Sequence, residues 1–158
     1  MQPHYNHVCL TVSDLERSIA FYEKYFGLKP VRRDPPHSGD KVSCMTGVGG
    51  GALLAAFLSD GHFILELIQF TTAQGTRTEA GAANEVGCPH LGFICANLPA
   101  LYETWRKEGV HFLSAPQYSA RRDSWSVMLR DPDGIMIELL ETPALTDAQI
   151  AQAQSAIL

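Results

Sequence analysis

The stretch His7-Val8-Cys9-Leu10-Thr11-Val12-Ser13-Asp14-Leu15 is written a second time as His90-Leu91-Gly92-Phe93-Ile94-Cys95-Ala96-Asn97-Leu98, at a constant offset of 83 (90 minus 7). Histidine falls on histidine, apolar residue on apolar residue, and Asp14 on Asn97. An internal repeat decides architecture before any single element does, and here it makes the two histidines equivalent positions. Both copies alternate as half-buried strands do. Val8, Leu10 and Val12 form one face and His7, Cys9 and Thr11 the other; in the second copy Leu91, Phe93 and Cys95 oppose His90, Gly92 and Ile94. Both histidines therefore leave the helix-covered face and point into whatever the sheet encloses.

Working outward, a helix follows each strand. Ser13-Asp14-Leu15-Glu16 reads as a capping box, Leu15, Ile19, Tyr22 and Phe26 recur on one helical face, and Gly27 supplies the left-handed stop. In the second copy Asn97 is the expected cap, Pro99 sits in the first turn, Leu98, Leu101 and Trp105 form the buried stripe, and Gly109 ends the helix. Each half then closes with a hairpin. Strand-like runs over 52–59 and 62–70 meet at Asp60-Gly61, a dipeptide that favours tight primed turns, and runs over 125–130 and 135–141 flank Asp131-Pro132-Asp133-Gly134. Each final strand carries one glutamate among apolar residues, in Leu65-Glu66-Leu67 and Ile137-Glu138-Leu139. The distance from glycine to glutamate is five residues in the first hairpin (66 minus 61) and four in the second (138 minus 134), a parity mismatch that the longer second loop must absorb if both glutamates share a face.

A chain of 158 residues matches one ordinary domain and buries about 70% of its unfolded surface. We expect a single domain over 1–145, with modules at about 5–70 and 88–142, a linker rich in Gly, Ala and Thr at about 71–87, and a terminal helix over 146–158. With 46% hydrophobic and 18% charged residues the composition is globular, and no apolar run reaches the roughly 18 residues of a membrane span. A net charge of -5 leaves no basic footprint for nucleic acid. The start lacks a basic segment followed by an apolar one, so a cytoplasmic location is expected. Cys9, Cys44, Cys88 and Cys95 show no C-x-x-C pairing and are expected as free thiols. The expected partners are a small-molecule substrate and, from exposed sheet edges, a second copy of the chain in a homodimer.

An unpaired carboxylate inside a strand costs several kcal/mol unless neutralised or coordinated. A single strand histidine is usually a satisfied core residue, and a single strand glutamate usually lies on a solvated face. Two of each at matched repeat positions are another matter, because His7, Glu66, His90 and Glu138 would meet about a twofold axis if the halves pack as a pair. One divalent ion is the simplest compensation. An N2O2 donor set suits Zn, Ni, Co, Mn or Fe(II), and an octahedral ion keeps two sites for substrate or water.

At these residues the chain resembles the vicinal oxygen chelate superfamily, which includes glyoxalase I, methylmalonyl-CoA epimerase, fosfomycin-resistance enzymes, extradiol dioxygenases and bleomycin-binding proteins. The marks are residues 7–28 (H-x-x-L-x-V-x-D-L-x-R-S-I-x-F-Y, then F-G-L), Leu65-Glu66-Leu67, Gly87-Cys88-Pro89-His90, and Asp131-Pro132-Asp133-Gly134 running to Glu138-Leu139. The resemblance implies an α+β fold of two βαβββ modules pairing into a partly open, barrel-like mixed sheet with helices outside. It also places the family's metal ligands on His7, Glu66, His90 and Glu138. A ligand-type residue at Glu66 is similar to the glyoxalase and epimerase branches, so the expected chemistry is that of a lyase or isomerase. There a glutamate, Glu66 or Glu138, removes the proton beside an α-oxo or α-hydroxy carbonyl while the ion stabilises the enediolate.

The chain departs from each specific branch. Glyoxalase I follows its strand glutamate with an Asn-Trp-Gly segment, whereas Glu66 is followed by Leu67-Ile68-Gln69-Phe70-Thr71. The epimerase carries a second base on the preceding strand, and residues 52–58 contain no carboxylate. Two other functions compete. An Fe(II)-dependent dioxygenase would use His7, His90 and Glu138 as a facial triad, and a non-catalytic drug- or metabolite-binding protein would need no carboxylate pair. Arg121, Arg122 and Trp125 offer anion contacts but read as a solvated loop; His37, His62 and Tyr118 read as surface residues. The segment 47–51 (Gly-Val-Gly-Gly-Gly) lacks the Lys-Ser/Thr of a phosphate loop and reads as a strand connection.

Overall fold

The computed structural model describes residues 3–76 and 81–142, so the terminal helix expected at 146–158 lies outside the described residues. The chain divides into two compact units, Met1–Thr78 and Glu79–Leu158, with the boundary inside the expected linker. The first unit runs β1 (Val8–Thr11), α1 (Leu15–Phe26), β2 (Lys29–Arg33), α2 (Asp40–Thr46), β3 (Ala52–Ser59) and β4 (Ile64–Thr72). Its sheet has the order β1-β4-β3-β2, with β1 parallel to β4 and the other pairs antiparallel. The second unit runs β5 (His90–Ile94), α3 (Leu98–Lys107), β6 (His111–Phe112), β7 (Gln117–Ser119), β8 (Ser124–Arg130) and β9 (Met136–Glu141). Its order is β5-β9-β8-β6, again with the first and last strands parallel.

Strands β6 and β7 both pair with β8, Phe112 opposite Leu129 and Gln117 opposite Ser126, so together they take the place that β2 fills alone. Pro116 lies between them and has no N–H for a ladder bond. Each unit is thus a βαβββ module of α+β class, as expected, and among the described residues neither sheet closes into a barrel.

The helix stripe is as the periodicity requires: Leu15, Ile19 and Tyr22 are buried, and Gly27 ends α1 at φ 69°. The caps are not. Asp14 rather than Ser13 caps α1, accepting from the Arg17 N–H at 3.0 Å, while Glu16 pairs with Arg33 instead of closing a capping box. Asn97 stands at the start of α3 in the left-handed region (φ 53°) and its side chain caps nothing. The first N–H of each helix is instead taken by the last strand of its own module. Leu15 N–H donates to Gln69 Oε1 at 2.9 Å, and Leu98 N–H donates to Glu141 Oε2 at 2.7 Å. Gln69 and Glu141 are equivalent, both 72 residues apart like Glu66 and Glu138 (141 minus 69, 138 minus 66).

These caps also settle the parity of the final strands. Leu65, Leu67 and Gln69 face α1, and Ile137, Leu139 and Glu141 face α3, which buries the four aliphatic side chains to 1% exposure or less. Glu66 and Glu138 therefore stand on the opposite, open faces. The mismatch in glycine spacing vanishes because the loops differ. Residues 60–63 join Ser59 to Ile64, whereas residues 131–135 join Arg130 to Met136, one residue more. Asp60 Oδ1 accepts from the N–H groups of His62 and Phe63, so Asp60-Gly61 opens a four-residue loop and not the tight two-residue turn its sequence favours. In the second loop Asp131 Oδ1 accepts from Asp133 and Ile135.

The repeat offset falls from 82 at Leu28/Val110 to 71 at Ser59/Arg130, so the first module holds 11 residues more (82 minus 71) between its helix and its hairpin. That surplus contains α2. Val42 of α2 packs with Leu53, Ala55 and Phe70 into a small core on the open face of the first sheet, flanked by Val48 and Ile68.

Candidate metal centre and its adjoining cavity

Register brings each histidine to its glutamate. In the first unit Cys9 is opposite Glu66, so His7, two residues earlier, shares the open face with it, and His7 Nε2 lies 3.0 Å from Glu66 Oε2. In the second unit Gly92 is opposite Glu138 and His90 is again two residues earlier, with Nε2 3.4 Å from Glu138 Oε2. The glutamates are not core residues. Their side chains are 18% and 30% exposed, because strand alternation sends the neighbouring leucines and isoleucine to the helix side. Most of the burial penalty expected for them is thus avoided, and the imidazole opposite each carboxylate offsets the remainder.

The structure joins His7 to Glu66 and His90 to Glu138, each pair within one unit. Among the described residues no group of three or more His, Cys, Asp or Glu has metal-holding geometry. The donor chemistry of each pair, one imidazole nitrogen with one carboxylate oxygen, fits half of a borderline-metal site.

The two pairs differ in support. His7 Nδ1 lies 2.7 Å from Asn6 Oδ1, and Nε2 is the nitrogen turned to Glu66. Phe57, opposite Glu66 on β3, meets the His7 ring edge-on at 5.9 Å. Cys9 sits beside Glu66; burial, and then the neighbouring carboxylate, push its thiol up to about 12. In the second unit Gly92 takes the place of Cys9 and Met128 that of Phe57. All four cysteines are free.

A cavity of about 340 Å³ opens beside Glu66, entirely within the first unit. Leu53, Ala55, Phe57 and Ile68 form its floor, Val42, Met45 and Thr46 of α2 its far wall, and Arg32, Asp34, His37 and Lys41 its polar rim. Arg32 donates to both oxygens of Asp34 at 2.6 and 2.8 Å and lays its guanidinium 4.4 Å from the centre of the Phe57 ring. His37 Nε2 stands 3.5 Å from Asp34. The Arg32 guanidinium, and behind it His37, hold the Asp34 carboxyl down at about 2.

Arg32, Asp34, Lys41 and α2 were not visible as site residues in the sequence. The only local signal was Arg32-x-Asp34, opposite charges two apart on an extended segment. His37, expected at the surface, lines the rim. Arg121 and Arg122 lie in an exposed turn, as expected, whereas Trp125 is half-buried in β8 opposite Tyr118 of β7, whose ring lies 5.3 Å away and whose exposed hydroxyl donates to Asp123 at 2.7 Å. The glycines of 47–51 end α2 and lead into β3, a strand connection as expected. No helix among the described residues is long and apolar enough to cross a membrane.

Compared with known proteins, residues 4–139 match the family model described as Glyoxalase/Bleomycin resistance protein/Dioxygenase superfamily. Among curated proteins, none matches the chain by sequence. A glyoxalase family protein from Bacillus cereus superposes with a TM-score of 0.76 at 23% identity, covering 90% of this chain and 95% of its own. The trypanothione-dependent glyoxalase I of Leishmania major gives 0.60 at 21% identity, covering 95% and 94%. A glyoxalase I mutant from Zea mays gives 0.61 at 23%, covering 85% of this chain but 43% of its own. At these identities the likeness is one of fold.

Proposed function

The chain belongs to the glyoxalase/bleomycin resistance protein/dioxygenase superfamily, and on that premise we propose that it is a metal-dependent lyase or isomerase acting on a small α-oxo or α-hydroxy carbonyl compound. The observation that carries the proposal is the repetition of one His–Glu pair, at one strand register, in both modules. His7, Glu66, His90 and Glu138 would hold a single divalent ion, from the set Zn, Ni, Co, Mn or Fe(II). When bound, such an ion supplies Lewis-acid polarisation of the substrate's oxygens.

The protein's own part is proton transfer at carbon. Glu66 opens onto the cavity, so of the two candidate bases it is the one placed to reach a substrate there, and it takes the proton adjacent to the carbonyl. His7 Nε2 and the Glu66 carboxylate lie 3.0 Å apart, side by side on one sheet face, and Asn6 holds His7 in turn. Val42, Leu53 and Phe57 exclude water from the substrate's apolar portion. The substrate is the one partner this requires; a homodimer is part of the same proposal.

Elemental analysis of the purified protein, stripped and reloaded with each ion, tests the reading. One ion per chain is expected, lost in His90→Ala and in Glu66→Gln. Retention of an ion by both His7→Ala and His90→Ala would show that the pairs do not share it. A reloaded wild type that holds no ion overturns the proposal. Deuterium exchange at the α-carbon of a 2-hydroxy carbonyl compound, followed by NMR, reads the chemistry, and oxygen consumption during turnover would replace it with the dioxygenase.

A further inference from the structure

The cavity under α2 joins three properties that the metal-ligand pairs do not explain. It is walled by apolar side chains, of which Val42, Leu53 and Ala55 are buried in the small core while Met45, 76% exposed, flanks the opening as an adaptable apolar edge. Its lining holds two carboxylates, Asp34 and Glu66, and one cation that pairs with neither. Arg32 is committed to Asp34 by two hydrogen bonds, whereas Lys41 has no ion pair or hydrogen bond among the described residues. Lastly, α2 belongs to the 11 residues (82 minus 71) without counterpart in the second module, so the cavity is an addition to one copy of a duplicated frame.

An apolar cavity with one unpaired ammonium group at its rim suits an amphipathic monoanion, since the apolar body gains from burial and the charge finds its partner without leaving water. We propose that this cavity seats the apolar chain of a small monocarboxylate, with Lys41 binding the carboxylate. Because Glu66 lines the same cavity, the substrate class becomes an α-oxo or α-hydroxy carbonyl compound whose apolar chain ends in a carboxylate, an assignment that rests on the metal-site reading above. Arg32 acts as a positioning residue. Pinned by Asp34, it covers the outer face of Phe57 and leaves the anion to Lys41.

Hexanoate and its neutral isostere hexanamide, titrated into the uniformly 15N-labelled full chain without added metal, test this. Hexanoate is expected to shift the amide signals of Lys41, Val42, Ala55 and Phe57 saturably, and hexanamide to bind about fivefold more weakly, the scale of one part-exposed charge-assisted contact. Lys41→Gln should lower hexanoate affinity by a similar factor and leave hexanamide unchanged, and Lys41→Arg should restore it. Lys41 is exposed, so folding is not at stake. Equal affinity for the two ligands, an unchanged Lys41→Gln variant, or shifts confined to other segments would overturn the assignment. Metal uptake, measured on the same preparations after loading with each ion, separates the two readings. Hexanoate docking through Lys41 in a protein that takes up no metal keeps the cavity and removes the metalloenzyme; a metal-loaded protein whose hexanoate ignores Lys41 does the reverse.

Discussion

Replacing Asn6 by alanine isolates the smallest part of the proposed site that has a definite structural role. The Asn6 carboxamide oxygen lies 2.7 Å from His7 Nδ1, where it would accept the Nδ1 proton of an imidazole whose Nε2 is a ligand. Without it the imidazole rotates and divides its proton between the two nitrogens, so a fraction of the population presents the wrong nitrogen to an ion. Partners of this kind are worth roughly ten- to a hundredfold in metal affinity, or about 1.4–2.8 kcal/mol. The pair is exposed, which places Asn6→Ala at the lower end, about tenfold. Asn6→Asp keeps an acceptor and adds negative charge, so it should bind at least as tightly as the wild type. Competition against a chromogenic chelator with Co or Zn reads the affinity, while thermal unfolding of the metal-free protein should move by less than about 0.5 kcal/mol, as for most exposed substitutions. If Asn6→Ala competes within twofold of the wild type while His7→Ala loses the ion, the idea that Asn6 orients the ligand is refuted.

Other consequences are direct. Glu141→Ala leaves the first N–H of α3 without its 2.7 Å acceptor and should cost about 1–2 kcal/mol in urea unfolding, whereas Glu141→Gln should be close to neutral because Gln69 already does the same work for α1. Leu67→Ala, at a fully buried position facing α1, should cost about 2–5 kcal/mol in the same assay. The Asp34 carboxyl should titrate near 2 by carbon-detected NMR, against an ordinary 3.8, and return toward the ordinary value in Arg32→Gln. A depressed carboxyl favours the folded state above its unfolded pKa, so the contribution of the Arg32–Asp34 pair is complete above about pH 4 and fades as the pH falls toward 2.

The duplicated modules and the helix stripes were legible because each rests on a periodic pattern or a repeat, whereas the pairing of each histidine with the glutamate of its own module was not, because it follows from strand register. Alternation over 7–12 and 90–95 fixed which face each histidine takes, and the strand, helix and hairpin of each half followed from where glycines and apolar runs fall, while the further strand of each βαβββ module was implied by the family resemblance alone. What escaped were interactions between segments far apart in sequence. Ser13 and Glu16 satisfy the local rule for a capping box, yet Gln69, 54 residues beyond Leu15, takes the N–H that a local motif leaves open. The four-residue turn at 60–63 escaped for a related reason. The Asp60 side chain satisfies two turn amides, and this holds the loop open beyond what Asp-Gly alone favours. The short helix α2 has no long apolar stripe; its place is set by Val42 closing over Leu53, Ala55 and Phe70, a tertiary fact.

What the two modules keep alike and what they let differ point to the same division of labour. The histidine, the glutamate, the register between them and the strand-borne helix cap are repeated, and these are the features that one ion held by two halves would require of both. Asn6, Cys9, Phe57 and α2 crowd the first pair, while Gly92 and Met128 leave the second comparatively bare. A substrate bound at one side of an ion needs walls, charge and a base on that side only. The surplus residues between Leu28 and Ser59 are therefore where differences in substrate should be written, and exchanging residues 34–51 for the corresponding segment of a related enzyme should change which compound is bound while leaving metal content as it was.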